Sequence, residues 1–217
     1  MIKANEIFNR VEGMHTFEEV VALQRFAEVA PSGAVVNVGC YLGLSTVALA
    51  SVRETYAVDP FENVFISSPV YPDGYQYTAD NLEHFKANVA KMGVADRVHL
   101  LRNKSEDEAR RWRKPIALVL IDFDPNHATA AITAWGRFVV DGGYLLQHDI
   151  NEPPVIAALE ALEATGDWTR VQTVDLLAIY QRTGGGFREG VAAVIQEAVK
   201  AEVAKQTKQT AKPGGKK

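Results

Sequence analysis

Strand-like and helix-like segments alternate five times along this chain, and the alternation limits the fold more than any other feature of the sequence. The clearest strand-like runs are 34–38 (AVVNV) and 116–122 (IALVLID), which are almost entirely apolar and rich in β-branched residues. Runs of this kind are typical of strands that are buried on both faces of a parallel sheet. We therefore predict a Rossmann-like α/β fold, in which helices cover both faces of a mostly parallel sheet.

The other segments follow from apolar periodicity and from residues that begin or end helices. Thr16 and Glu19 have the spacing of a capping box at the start of the first predicted helix. A single Asp175 separates the last two strand-like runs, which predicts a tight antiparallel pair. We predict helices at 16–30, 46–52, 78–93, 105–113, 128–140 and 153–166, and further strands at 55–59, 97–102, 142–150, 168–174 and 176–182.

The chain changes character at a glycine triplet, 184–186. Residues 1–183, with a helical segment at the N-terminus, are predicted to form one domain. Residues 184–206 are predicted to form a C-terminal helix after this break, and their apolar stripe favours packing on the same domain, with a contact between subunits as the alternative. Residues 207–217 are polar, rich in lysine and predicted to be disordered. A homo-oligomer would use the N-terminal or the C-terminal helix.

Composition and charge exclude several classes of protein. The 217 residues are 47% hydrophobic and 23% charged, which is ordinary for a globular domain. The formal net charge of −4 argues against a surface that binds nucleic acid or anionic lipid. A single cysteine, Cys40, cannot form an internal disulfide. No apolar run has the length of a membrane span or of a signal-peptide core, so we expect a cytoplasmic protein that acts away from membranes.

In open parallel sheets, ligands bind beyond the carboxyl ends of the strands. The first predicted strand runs into 37–46 (NVGCYLGLST), where Gly39 and Gly43 allow a tight turn and the close approach of a ligand before a helix N-terminus. Glycines of this kind also occur in plain strand–helix turns. The loop lacks the lysine of a phosphate-binding P-loop and the three-glycine spacing of a dinucleotide fingerprint.

Asp59 ends the second predicted strand, about twenty residues after Gly39. A carboxylate at this place can accept hydrogen bonds from both hydroxyls of an adenosine ribose. The alternative is a turn or a helix cap before Pro60. The glycine loop upstream favours the ribose role.

Acidic and imidazole side chains follow the fourth and fifth predicted strands. Asp122 and Asp149 end neighbouring strands, which are spaced about 4.8 Å apart, so their carboxylates are expected to converge. Two converging carboxylates must share a proton or a cation, and oxygen ligands suit Mg²⁺ or a similar ion. Asp124 points the same way if the strand continues, and His127 and His148 are candidate bases or further ligands. The alternative is a set of capping carboxylates and structural histidines.

Five motifs, in this order and spacing, resemble those of class I S-adenosylmethionine-dependent methyltransferases: VVNVGCYLGLST, YAVDPF, DNLEHFKANVAKMGVADRVHLLRNKSEDEA, ALVLIDFD and DGGYLLQHDI. The resemblance extends over residues 14–182 and is greatest to the small-molecule O-methyltransferases of the macrocin and aminocoumarin sugar type. It implies a seven-stranded sheet in which the final strand, 176–182, runs antiparallel to the others.

The resemblance also implies roles for individual residues. The loop after the first strand would cradle the methionine end of the cofactor, Asp59 would bind its ribose, and Ser105 would lie near its adenine. Asp122 and Asp149 would bind a divalent cation, and Asp124 matches the general base of the sugar-modifying members. The implied cofactor-binding residues are Asn37, Gly39, Tyr41, Gly43, Ser45, Thr46, Asp59, Ser105 and Asp122.

The resulting hypothesis is an S-adenosylmethionine-dependent methyltransferase that methylates a hydroxyl group of a small sugar-like or phenol-like acceptor, with help from Mg²⁺ or another divalent cation. Asp124, His127 or His148 would accept the proton. The long segment 61–77, rich in aromatic residues and prolines, is expected to be a lid over the acceptor, or else a surface excursion packed by its own aromatic residues.

Three alternatives stay open. A metal-independent methyltransferase on the same fold would use a histidine base. A non-catalytic relative would bind the cofactor without turnover, and it is favoured by Asn37, where the family usually has a glutamate, and by the altered segment after Asp124. An NAD(P)-dependent oxidoreductase is disfavoured by the glycine spacing and because no tyrosine is followed four residues later by a lysine.

Overall fold

The computed structural model describes residues 1–66 and 75–183. The helix predicted at 184–206 and the tail predicted at 207–217 lie outside the described residues, as does the middle of the predicted lid. Within the two described ranges, every helix is too short or too polar to cross a membrane.

Helices and strands alternate along most of the described chain. The helices are α1 (Ala4–Arg10), α2 (Phe17–Val29), α3 (Leu44–Ala50), α4 (Asn81–Lys91), α5 (Ser105–Arg111), α6 (Ala128–Gly136) and α7 (Pro153–Ala164). The strands are β1 (Ala34–Val38), β2 (Thr55–Val58), β3 (Val64–Ile66), β4 (Tyr75–Tyr77), β5 (Val98–Leu101), β6 (Ile116–Ile121), β7 (Val139–Gln147), β8 (Trp168–Val174) and β9 (Leu177–Arg182). Short 3₁₀ helices are found at Ala95–Arg97 and Pro125–His127.

The main sheet of the described chain has seven strands, in the spatial order β5, β2, β1, β6, β7, β9, β8. The strands from β5 to β7 in this order run parallel, and β9 runs antiparallel to both of its neighbours. The predicted α/β class and the implied antiparallel final strand are therefore confirmed. The chain order reverses between β1 and β6, so a ligand is expected in the crevice beyond their carboxyl ends.

Helices cover both faces of the sheet, so its central strands are buried. In β6, Leu118 and Leu120 belong to the apolar cluster formed with α1, α2, α3 and α4. Val119 and Ile121 belong to the cluster formed with α5, α6 and α7. All four side chains are at most 1% exposed. Burial on both faces explains why the sequence of this strand is an unbroken apolar run.

Three boundaries at α6 and β7 differ from the predictions, and the last of them lies at the site. The helix predicted at 128–140 ends at Gly136, and β7 begins at Val139, because Val139 pairs with Ile116 of the neighbouring strand. β7 ends at Gln147 rather than at 150, so His148 and Asp149 lie beyond the strand. Asp149 has a φ of 57°, which a regular strand does not allow.

The predicted lid contains secondary structure that the sequence did not indicate. Its described ends form an antiparallel hairpin of β3 and β4, in which Val64 pairs with Tyr77. Each strand has only three residues, too few to show a period of two along the sequence. The hairpin gives the region beside the carboxyl end of β2 a defined structure.

The capping box predicted at the start of α2 is confirmed. Thr16 Oγ1 accepts a hydrogen bond from the backbone N–H of Glu19, and the Glu19 carboxylate accepts one from the backbone N–H of Thr16. The two bonds satisfy donors that the first turn of a helix otherwise leaves unpaired.

Candidate active site

A cavity of about 680 Å³ opens at the carboxyl ends of β1, β2, β6 and β7. The predicted site residues that line it are Gly39, Tyr41, Ser45, Asp59, Ser105, Asp122, Asp124, His127, His148 and Asp149. Asn37, Gly43 and Thr46 are not among its lining residues. Most of the residues that the sequence selected therefore lie around one crevice.

The loop after β1 turns tightly because the end of β6 lies directly beside it. Gly39 has a φ of +88°, and a Cβ atom built there would lie 1.8 Å from the carbonyl oxygen of Asp122. The backbone N–H of Asp122 donates to the carbonyl oxygen of Val38 at 2.8 Å. Glycine is thus required at position 39 by the contact between the two strand ends, whatever ligand the loop binds.

Asn37, in β1, connects the strand to the helix that follows the glycine loop. Its Nδ2 donates to Ser45 Oγ at 3.0 Å and to Thr46 Oγ1 at 2.8 Å, which ties β1 to the first turn of α3. The side chain is fully buried, and among the described residues its Oδ1 has no hydrogen-bond partner. The predicted contacts of Asn37, Gly43 and Thr46 with a cofactor stay predictions.

Asp59 lies directly after β2 and is 4% exposed. Its Oδ2 accepts hydrogen bonds from the backbone N–H of Cys40 at 2.8 Å and from the hydroxyl of Tyr77 at 2.9 Å, and its Oδ1 accepts from the backbone N–H of Phe61 at 2.8 Å. Burial raises the pKa of Asp59 despite these donors. No local pattern in the sequence links β4 to the end of β2, so the contact between Tyr77 and Asp59 could not be predicted.

Ser105 begins α5 and is almost fully buried at the cavity wall. Its Oγ accepts a hydrogen bond of 3.1 Å from the indole Nε1 of Trp135 in α6. Ser105 therefore has a structural role in joining two helices, and its position near an adenine stays a prediction.

The two aspartates that end neighbouring strands converge on His148. His148 Nδ1 lies 3.3 Å from Asp122 Oδ1 and 3.2 Å from Asp149 Oδ1. One ligand atom from each of the three residues can be chosen so that all lie within 4.8 Å of one another. The predicted convergence of Asp122 and Asp149 is thus present in the structure, with an imidazole between them.

Two residues of this cluster were missed by the sequence analysis. The sequence predicts only a capping role for Glu19, yet its Oε2 lies 3.2 Å from His15 Nδ1 and 3.2 Å from His148 Nε2. His15 Nε2 in turn lies 3.1 Å from Asp122 Oδ2. The only local signal was the spacing of four residues between His15 and Glu19, which makes them neighbours at the start of a helix.

The carboxylates and imidazoles of this cluster change one another's pKa values. Burial would raise the pKa of Glu19, but hydrogen bonds with His148 and His15 outweigh it and lower the pKa to about 2. Burial would lower the pKa of His148 and of His15, but the neighbouring carboxylates, Asp122 first and Glu19 with it, outweigh burial, and both pKa values are raised. The pKa of Asp122 is lowered although burial opposes the shift. The carboxylates therefore attract positive charge, which imidazolium groups or a bound cation can supply.

Asp124 and His127 make their polar contacts with residues outside this cluster. The sequence predicts that Asp124 points the same way as Asp122 if the strand continues; β6 ends at Ile121, so this condition is not met, although both residues line the cavity. Asp124 Oδ1 instead accepts from the backbone N–H of Asn126 at 3.0 Å and caps a 3₁₀ helix. His127 Nε2 lies 3.9 Å from Asp124 Oδ2, and both residues line the cavity.

The chain matches a family model, and its fold is similar to that of solved structures. The family model for the methyltransferase domain matches residues 36–150. The O-methyltransferase NovP is 18% identical and superposes with a TM-score of 0.64 over 79% of this chain and 83% of its own. The O-methyltransferase TomG from Streptomyces achromogenes, which takes part in tomaymycin synthesis and was solved with SAM, is 16% identical, with a TM-score of 0.60 over 83% of this chain and 86% of its own.

An O-methyltransferase from Bacillus cereus, solved with SAH, is 14% identical and has a TM-score of 0.60 over 83% of this chain and 90% of its own. At these identities the three structures show a shared fold. The family match is more specific, because it extends from β1 to the loop after β7 and includes the glycine turn, Asp59 and the Asp122–His148–Asp149 group. Since it covers more than half of the sequence, the chain belongs to the methyltransferase domain family.

Proposed function

We propose that this protein is an S-adenosylmethionine-dependent O-methyltransferase that acts on a small hydroxylated acceptor with the help of a divalent cation. The observation that carries the proposal is a single cavity whose wall includes the turn at Gly39, the Asp59 carboxylate and the Asp122–His148–Asp149 group. A surface for the methyl donor and a group that can activate an acceptor hydroxyl are therefore adjacent, as methyl transfer requires.

The part of the cavity near β1 and β2 suits the cofactor. Gly39, Cys40 and Tyr41 of the turn after β1 line this part of the cavity, so a ligand there would contact the turn directly. The carboxylate of Asp59 is the kind of acceptor that a ribose hydroxyl needs. The SAM complex of TomG and the SAH complex of the Bacillus cereus enzyme support this choice of cofactor. When bound, S-adenosylmethionine supplies a methyl group that its sulfonium already activates.

The part of the cavity near β6 and β7 suits a divalent cation. Two ligands that lie about 2.1 Å from one ion, at right angles, are about 3 Å apart. The separations of 3.3 Å and 3.2 Å from His148 Nδ1 to Asp122 Oδ1 and to Asp149 Oδ1 are close to this spacing. These three side chains would hold the ion, which when bound lowers the pKa of an acceptor hydroxyl and orients it.

Asp124 and His127 are the candidates for accepting the proton. The His127 side chain is 56% exposed, and its ring faces the Asp124 carboxylate at 3.9 Å. An imidazole with a carboxylate beside it has the arrangement of a general base. His127 Nδ1 also lies 3.3 Å from Glu106 Oε1. His148 is less suited to this role, because its side chain is only 5% exposed and its Nδ1 faces Asp122 and Asp149, the other proposed ligands of the ion.

The charge of the cavity limits the acceptor. Its lining includes the acidic residues Asp59, Glu62, Glu106, Asp122, Asp124 and Asp149. Among the described residues, Lys104 is the only lysine or arginine in that lining. A phosphorylated or carboxylated acceptor would be repelled, so we propose a neutral one, sugar-like or phenol-like. Met14, Val64 and Ile66 also line the cavity and would contact its apolar surface.

Calorimetry with S-adenosylmethionine and S-adenosylhomocysteine tests the cofactor. We expect both to bind, and failure of both to bind at millimolar concentration would overturn the proposal. A thermal-shift comparison with NAD(P)H separates this function from an oxidoreductase, for which the nicotinamide cofactor would bind instead.

Assays of methyl transfer to a panel of neutral hydroxylated compounds test whether the reaction needs a divalent cation. We expect EDTA, Asp122→Asn and Asp149→Asn each to abolish transfer, with Asp141→Asn, an exposed aspartate in β7, as the matched control. Full activity in all three conditions would eliminate the cation and favour a histidine base alone. Cofactor binding without transfer to any acceptor would favour a non-catalytic relative.

A further inference from the structure

Two imidazoles share one carboxylate oxygen beside the cavity. Glu19 Oε2 lies 3.2 Å from His15 Nδ1 and 3.2 Å from His148 Nε2, with hydrogen-bond geometry in both cases. The three side chains are at most 5% exposed. Glu19 also accepts from the backbone N–H of Thr16 and from that of Leu176, each at 2.9 Å. The carboxylate is therefore held in one orientation by donors from three parts of the chain.

The second nitrogen of each imidazole faces Asp122. Asp122 Oδ2 lies 3.1 Å from His15 Nε2, and Asp122 Oδ1 lies 3.3 Å from His148 Nδ1. Among the described residues, neither nitrogen has a partner in hydrogen-bond geometry, although both are buried. A buried nitrogen this close to carboxylate oxygens without an aligned N–H···O bond requires an explanation. For His148 Nδ1, binding of one ion together with Asp122 and Asp149 gives this pattern, because each ligand then points at the ion and not at its neighbour.

Glu19 also determines which nitrogen of His148 is free to bind an ion. When Nε2 donates its proton to Glu19, the lone pair is on Nδ1. Nδ1 is the nitrogen that lies beside Asp122 and Asp149. Histidines that bind metals usually donate their other N–H to a carboxylate or a carbonyl in this way, which holds the ring in position.

We propose that Glu19 is a positioning residue that makes His148 Nδ1 a metal ligand, so that the Asp122–His148–Asp149 group prefers an ion that accepts nitrogen, such as Mn²⁺, Co²⁺ or Zn²⁺, to Mg²⁺. Imidazole suits such ions, whereas Mg²⁺ prefers oxygen ligands alone. This inference rests on the proposed function, which includes a divalent cation, and it adds which ions the site prefers.

Calorimetry of the chelator-treated full chain with Co²⁺ and Mg²⁺ tests the preference. We expect His148→Asp, which creates an all-oxygen group, to lower the ratio of Co²⁺ affinity to Mg²⁺ affinity at least tenfold. We expect Glu19→Gln to weaken Co²⁺ binding ten- to hundredfold. Glu18→Gln, at the adjacent position of the same helix, is the matched control and should change neither. Binding of S-adenosylhomocysteine in each variant reports whether it is folded.

Pulsed electron paramagnetic resonance of the Mn²⁺-loaded wild-type protein gives a readout that needs no variant. We expect modulation from an imidazole nitrogen, and a spectrum with oxygen ligands alone would overturn the inference. An unchanged affinity ratio in folded His148→Asp would also overturn it and leave the proposed function standing. If the wild-type chain binds no divalent ion, both the inference and the cation of the proposed function fail, while S-adenosylhomocysteine binding still tests the cofactor separately.

Discussion

The hydroxyl group of Tyr77 donates a hydrogen bond of 2.9 Å to Asp59 Oδ2, so the β3–β4 hairpin is tied to the acidic residue that follows β2. The same oxygen accepts from the backbone N–H of Cys40, and the ring of Tyr77 lies 5.5 Å from the ring of Tyr41 in the glycine loop. Tyr77 therefore uses an acceptor position that the proposed ribose contact also needs. Cofactor binding and the position of the hairpin should be coupled through this one oxygen.

Replacing Tyr77 by phenylalanine removes the hydroxyl and keeps the ring. We expect Tyr77→Phe to bind S-adenosylhomocysteine about two- to tenfold more tightly, because the ribose no longer competes with an internal hydrogen bond of about 0.5–1.5 kcal/mol. Calorimetry measures the change, and Tyr56→Phe, which removes a hydroxyl from β2 outside the cavity, is the control. Weaker binding in Tyr77→Phe would show instead that the hydroxyl contacts the cofactor.

Cofactor affinity should depend on pH through Asp59. Burial raises the pKa of Asp59, so this carboxyl becomes protonated at a higher pH than an ordinary aspartate does. A protonated carboxyl is a weaker acceptor, and we expect the affinity for S-adenosylhomocysteine to fall as the pH decreases through this raised pKa. In the Asp59→Asn variant the affinity should be weaker and should lose this part of the pH dependence. Identical pH profiles for the two proteins would exclude Asp59 as the titrating group.

Asp59 should affect folding stability with the opposite pH dependence to that of cofactor affinity. A folded-state pKa above the unfolded value means that the folded protein binds more protons in the window between the two values. The contribution of Asp59 to the free energy of unfolding therefore falls as the pH rises through that window. Denaturation curves of wild-type protein and Asp59→Asn across this window should differ in slope in that direction.

Gly39 is expected to tolerate no side chain. A Cβ atom there would lie 1.8 Å from the carbonyl oxygen of Asp122, so either β1 or β6 would have to move. We expect Gly39→Ala to lose more than about 4 kcal/mol of unfolding free energy or to fail to fold. Gly93→Ala is the matched control, since position 93 has a φ of +67° but no atom within 4 Å, and should lose about 1–2 kcal/mol. Similar losses at the two positions in denaturant titrations would contradict the strand-end contact.

Ser105 should contribute to stability independently of any ligand. Ser105→Ala removes the acceptor of the Trp135 indole N–H, which is buried in the core, and we expect a loss of about 1–3 kcal/mol. Ser32→Ala, at an exposed position, is the control and should change stability by less than about 0.5 kcal/mol. Denaturation measures both variants, and equal stabilities would show that the indole finds another acceptor. A separate fall in S-adenosylhomocysteine affinity in Ser105→Ala would support the predicted position near the adenine.

The sheet could be predicted from the sequence because its signals are local. The runs 34–38 and 116–122 are apolar over a strand's length and rich in β-branched residues, which is typical of strands buried on both faces of a sheet. The alternation with helices then implies parallel strands and a ligand site at their carboxyl ends. For the same reason Asp59, Asp122 and Asp149 could be selected as site residues before their contacts were known. The capping box of Thr16 and Glu19 likewise depends on residues three apart.

Only the tertiary structure decided which side chains complete the cluster. Glu19 and His148 are 129 positions apart, and a capping box already explains Glu19 locally, so no pattern indicates that its carboxylate also binds two imidazoles. The pairing of Tyr77 with Asp59 also joins distant segments of the chain, and no local pattern indicates it. Nor does the sequence show that β6 ends at Ile121, before Asp122 and Asp124. Local periodicity reports which residues are buried, whereas contacts between distant segments follow from how the helices and strands pack.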